Sequence, residues 1–238
     1  MLAGRDRVRA RIRRQLQSGE TVHHALYGPR GVGKTVLLSD LGSWAATELG
    51  WHVVRHRLAE DQDISLALVD RLADPSRALS RRWDRLVESL RSNLTVGIGG
   101  PVAITKQFDM TKVTGPPDTL LERALVRLGN DAAEAGTAVL LLLDEIHTPR
   151  GGPELVRLSN ALQAVKEDRL PVHGLRPAQT GTTRGATFLE RLGATRLGLL
   201  SPGDTRLAFL EPWARRGIAV DPAALDRLVV AARGYPYF

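Results

Sequence analysis

With 238 residues, 43% of them hydrophobic and 25% charged, the chain has the composition of one globular core with a small appended domain. Its longest apolar run, residues 138–143, falls far short of the ~20 residues of a membrane helix. No apolar stretch follows the arginine-rich start as it would in a signal peptide, and the absence of cysteine excludes disulfides and cysteine zinc sites, so a cytoplasmic chain without membrane attachment is expected.

The net charge of +7 rests on arginine, since lysine occurs only at positions 34, 106, 112 and 166. Arg5 to Arg14 is the one dense run, so nucleic acid as a partner has only diffuse support.

In chain order, Val8, Ile12 and Leu16 space an amphipathic helix over 5–17. A strand at 23–27 runs into a glycine-rich loop. Leu37, Leu41, Trp44, Ala45 and Leu49 then mark a helix closed by Gly50. Residues 52–57 alternate as a second strand. Two helices follow, divided at Asp74-Pro75, and β-branched residues around Gly97, Gly99, Gly100 and Pro101 suggest a hairpin over 93–105.

Leu120, Leu121, Ala124, Leu125 and Leu128 define the next helix, and 138–143 the clearest strand, ending on Asp144-Glu145. Leu155, Leu158, Leu162 and Val165 form another helical stripe, and 195–200 reads as a strand. Ser201-Pro202-Gly203-Asp204 and Asp221-Pro222 are cap-and-proline helix starts, with Gly234 as the last stop. Strands alternating with helices, then helices alone, predict a three-layer α/β P-loop fold with a parallel central sheet over 1–200 and a partial α-helical lid over 201–238.

Gly28-Pro29-Arg30-Gly31-Val32-Gly33-Lys34-Thr35 fits G-x-x-x-x-G-K-T without departure. Glycines let successive backbone N–H groups turn toward one anion at a helix N-terminus. Lys34 would reach the β- and γ-phosphates, and Thr35 would bind Mg²⁺. Asp144, at the carboxyl end of a buried strand, would also hold Mg²⁺, and Glu145 would polarise the attacking water. His147 reads as a phosphate sensor, a partner contact or a plain loop histidine; His23 and His24 lack a second pair at metal-ligand spacing.

Leu2-Ala3-Gly4-Arg5-Asp6, the Gly28–Thr35 cradle, the Leu-Leu-Leu-Asp-Glu strand end and Gly234-Tyr235-Pro236 together resemble the AAA+/STAND superfamily, within it the origin-recognition-type AAA ATPase domains. The resemblance implies that Gly4 and Arg5 lie near adenine or ribose, and that Pro236 clasps the nucleotide from the lid. It also implies oligomers or a protein partner, with an arginine supplied in trans, for which Arg191 stands roughly in place. An Mg·ATP-binding ATPase of slow turnover, coupled to lid or partner rearrangement, is expected. An ATP-gated switch with little turnover and a DNA-associated ATPase are the alternatives. The lack of an Asn-Lys-x-Asp stretch favours ATP over GTP.

Two departures stand out. Leu170-Pro171-Val172 starts the strand expected to end in a sensor, but 173–181 is polar and proline-broken, which predicts a loop, an unusual variant or a local change of reading frame. The apolar ending Tyr235-Pro236-Tyr237-Phe238 suggests the ATPase portion of a longer protein, or a truncated copy.

Overall fold

The computed structural model describes residues 3–57, 68, 72, 119–144, 151–178 and 193–236, with backbone alone for 151–155 and 178. In chain order these form α1 (Asp6–Leu16), β1 (His23–Tyr27), α2 (Lys34–Glu48), β2 (His52–Arg57), α3 (Leu120–Glu134), β3 (Val139–Asp144), α4 (Gly151–Glu167), β4 (Val172–Ala178), β5 (Gly193–Arg196), α5 (Pro202–Ala214) and α6 (Pro222–Ala232). Of the helices read between 58 and 92 only Leu68 and Leu72, both helical and buried, are described; the hairpin at 93–105, Glu145, His147 and Arg191 lie outside the described residues.

The strands pair in parallel in the order β2-β3-β4-β1-β5. β3 is apolar at five consecutive positions because both its faces are covered. Val139, Leu141 and Leu143 pack under α3 and α4, with Leu125, Leu128, Leu158 and Leu162. Leu140 and Leu142 point the other way, under α1 and α2, with Ile12, Leu16, Leu37 and Leu41. The result is a three-layer α/β fold, and the period-two split of β3 is what assigns each helix to its layer.

The expectation of a loop at 173–181 is corrected through Ala178. Residues 172–178 form β4, a central strand between β3 and β1. The polar residues are accommodated one by one. His173 stacks on Trp51 with ring centroids 4.6 Å apart, and its Nδ1 accepts the Val22 N–H at 3.1 Å. Gly174 leaves room for the His23 ring, whose Nε2 donates to the Leu162 carbonyl at 2.9 Å.

Pro177 escapes the usual objection to proline in a sheet. Gly174 donates to Val22 on the β1 side, so alternation directs the missing donor of residue 177 toward β3, where pairing ends at Leu142–Leu175. A change of reading frame is not needed to supply the strand. β5 is also shifted from the expected 195–200: it spans 193–196, and the connector after it is engaged in cross-links described below.

The caps of α5 and α6 form as expected. Ser201 Oγ accepts the Asp204 N–H at 3.1 Å, and Asp221 accepts from Ala223 and Ala224 at 3.2 and 3.1 Å.

Two predictions concern stability. Burial holds His23, His24 and His173 neutral, with pKa values lowered from 6.5 to about 4; the charge of Arg11 adds to the effect at His24. Because the folded-state pKa is depressed, the unfolded chain binds more protons between these values. Stability is therefore full above pH 6.5 and falls as pH drops toward 4, by on the order of several kcal/mol in all. Urea midpoints at pH 7, 6 and 5 should decline steadily, whereas a flat profile contradicts the burial.

Arg176 is 6% exposed and its Nε makes no hydrogen bond. Replacing this buried cation, Arg176→Met, should raise the urea midpoint by an amount worth about 1 kcal/mol or more. A lowered midpoint would show that the guanidinium is stabilising where it lies.

Candidate nucleotide-binding site

Parallel strands deliver their carboxyl ends to one edge, and β1, β3 and β4 place Tyr27, Asp144 and Ala178 along it. From Tyr27 the chain must turn from strand to helix within six residues. At Gly28, φ is 153° and the Leu197 carbonyl abuts the position a Cβ would occupy. Pro29 and Arg30 are exposed, and Val32 plugs the loop into the core at 0% exposure. Gly33, with φ 92° and ψ 23°, is the N-cap of α2. No side chain among the described residues caps that end, and its first turn carries no acid. The first N–H groups of α2 thus remain for an external acceptor, and the helix dipole favours an anion there.

Lys34 opens α2 and folds back over the loop, its Nζ donating to the Gly28 and Pro29 carbonyls at 2.6 and 2.8 Å. Burial lowers its pKa, while the charge of Asp144 acts in the opposite direction. Both lie at the carboxyl edge of the sheet, Lys34 after β1 and Asp144 at the end of β3. Thr35 is exposed on the first turn of α2. Asp144 is half-buried and in register with Arg57 of β2, a cation at the sheet edge that the motif pattern does not flag. Its signal in the sequence is its position as last residue of the second strand.

Arg5 is 7% exposed, and its Nη2 donates to the carbonyls of Val32, at 3.0 Å, and Gly198, at 2.7 Å. It ties the chain start to the phosphate loop and to the β5–α5 connector. Burial lowers its pKa, and Asp204 acts in the raising direction. Gly4, with φ 66°, packs against the Asp204 side chain at the start of α5. The connector is also held by Leu197 N–H donating to Tyr27 at 2.6 Å and Leu200 N–H donating to Gly234 at 2.8 Å. A Cβ on Gly33 would lie 3.6 Å from Pro236 Cγ, so Pro236 packs against the end of the glycine-rich loop.

A cavity of about 220 Å³ opens beside the loop, bounded by Arg5, Val32, Gly33, Val36, Leu200 and Pro236, with Ala208, Glu211, Pro212 and Arg215 along one wall. The last four were missed in the sequence reading. Their i, i+3, i+4, i+7 spacing is the signal that one face of α5 turns toward a common object. Thus Gly28, Gly33, Lys34, Asp144, Arg5 and Pro236 converge on one edge of the sheet, with Gly4 behind Arg5.

The geometry agrees with what comparison shows. No curated protein sequence matches the chain. Among solved structures, a Walker-type ATPase of Pyrococcus abyssi superposes with a TM-score of 0.58 at 16% identity, over 98% of this chain and 64% of that one. The ORC1 protein of Aeropyrum pernix, solved in complex with DNA, gives 0.55 at 16% identity over 98% and 55%. Domain III of the Thermotoga maritima replication initiation protein DnaA gives 0.56 at 11% identity over 97% and 77%. At these identities the likeness is one of fold, and the chain spans about two thirds or less of the first two. The AAA ATPase domain family matches residues 1–175, through the phosphate loop, Asp144 and most of β4, and the chain belongs to that family.

Proposed function

We propose that the chain binds Mg·ATP at the edge formed by Gly28–Thr35 and Asp144 and hydrolyses it slowly. The observation that carries the reading is the Lys34 ammonium, held in the loop by two carbonyls at an uncapped helix N-terminus. On binding, Lys34 exchanges those carbonyls for β- and γ-phosphate oxygens, and the N–H groups from Gly31 to Thr35 donate to the phosphates. The Thr35 hydroxyl and the Asp144 carboxylate are hard oxygen donors suited to Mg²⁺. Held by Thr35 and Asp144, Mg²⁺ would supply positive charge against the phosphates. Glu145, next to Asp144 in sequence, orients the attacking water.

The purine would enter the cavity between Val32, Val36, Leu200 and Pro236, whose apolar surfaces suit a ring face. Arg5 keeps that cavity in shape through its two carbonyl contacts rather than by reading the ligand. Because one face of α5 lines the cavity, occupancy would bias the lid. Leu207, Ile218, Leu228 and Val230, exposed on the lid, would meet the protein partner or second copy that senses it. Among the described residues no helix is long and apolar enough to cross a membrane.

Turnover by the isolated chain should lie below about 0.01 per second, the range of P-loop enzymes without a supplied arginine. Lys34→Ala should abolish ATP binding, whereas Glu145→Gln should bind ATP normally and lose phosphate release. Binding without turnover in the parent would favour the regulatory switch. Undiminished binding in Lys34→Ala contradicts the assignment.

The Arg5 clamp yields a separate expectation. Arg5→Met should lower stability by roughly 2–4 kcal/mol, because two carbonyls lose a charged donor in a buried place. ATP affinity should fall with it. A urea midpoint equal to the parent's would show that neither carbonyl depends on Arg5.

A further inference from the structure

Helix α1 carries five arginines whose surroundings divide them into two groups. Arg9 and Arg13 both approach Asp40 of α2 at 3.6 Å, and Arg13 lies over the Trp44 ring at 4.8 Å. These two are internal: their charge is answered within the fold. Arg7, Arg11 and Arg14 are exposed and have no ion pair or side-chain hydrogen bond among the described residues. They stand at i, i+4 and i+7, a single stripe on the side of α1 opposite Ile12 and Leu16. Like charges at this spacing repel by a few tenths of a kcal/mol per pair, and no carboxylate among the described residues pairs with them.

We propose that this face of α1 is a docking surface for the phosphate backbone of duplex nucleic acid. Arg7 to Arg14 cover about 10 Å of helix axis, a length over which each strand of a duplex presents roughly three phosphates. A lipid surface is the poorer match. A helix lying on a membrane inserts its apolar side, and here Ile12 and Leu16 are 0% and 1% exposed in the protein core. A single strand is also disfavoured, since its sequence-independent binders stack bases on aromatic rings. The exposed side of α1 has none, with Ala10, Gln17 and Ser18 beside the stripe. Phosphate contacts of this kind position a duplex without reading its sequence. The inference does not rest on the nucleotide reading, because none of the three arginines borders the cavity.

The test is fluorescence anisotropy of a labelled mixed-sequence duplex of about 20 base pairs with the full chain, from 50 to 200 mM NaCl. Three phosphate contacts predict a log–log salt slope contribution of about −2.7, a fall in affinity of roughly 40-fold across that range. The triple variant Arg7→Gln, Arg11→Gln, Arg14→Gln should lose that contribution, and each single variant about one third of it. An unaltered circular dichroism melt of the triple variant shows that the loss is not unfolding. A slope unchanged in the triple variant, or no duplex binding at 50 mM salt, overturns the proposal. So does binding to phosphatidylserine vesicles or to polyglutamate that equals duplex binding and is lost in the same variant.

Discussion

The backbone between Tyr27 and Lys34 has to pass from strand to helix within six residues, and contacts from the chain start, the core and the segment after β5 hold that turn. The turn needs Gly28 at φ 153° against the Leu197 carbonyl and Gly33 at φ 92° as the N-cap of α2. A loop of this shape leaves donors without partners. It is therefore held from outside: by Val32 in the core, by Arg5 on the Val32 carbonyl, and by Leu197 N–H on Tyr27. β5 ends level with β1: Leu197 N–H closes the ladder on Tyr27, and 198–200 then bond Arg5 and Gly234, which links the chain start and the C-terminal helices to the loop.

Much of this was legible in the sequence because the signals were local. The G-x-x-x-x-G-K-T spacing, the apolar run before Asp144 and the cap-proline starts at Ser201 and Asp221 each depend on neighbours within one element. The elements that misled depend on contacts distant in sequence. His173 and Gly174 look unfit for a buried strand until Trp51 and His23 are placed beside them. Pro177 looks like a breaker until its missing donor is seen to fall past the end of the β3–β4 ladder. Arg57 next to Asp144 is a register fact, and α5 as a cavity wall is a packing fact. Neither is written in a motif.

The same distinction separates the two kinds of arginine in the chain. Arg5 and Arg176 are buried: the first donates to two carbonyls, while the Nε of the second makes no hydrogen bond. Those of α1 are divided between an inner pair answered by Asp40 and an outer stripe facing solvent. Net charge alone cannot separate these cases, because each arginine contributes equally to +7. Placement decides which charges hold the fold together and which remain for a partner.

The proposed activity requires that this edge of the sheet be an anion site completed by a metal. Isothermal titration of the full chain with ATP, in Mg²⁺ and then in EDTA, tests it most directly. One saturating site that weakens when the metal is removed is the predicted result. A chain that melts cooperatively, and so is folded, yet takes up no heat of ATP binding in either buffer would contradict it.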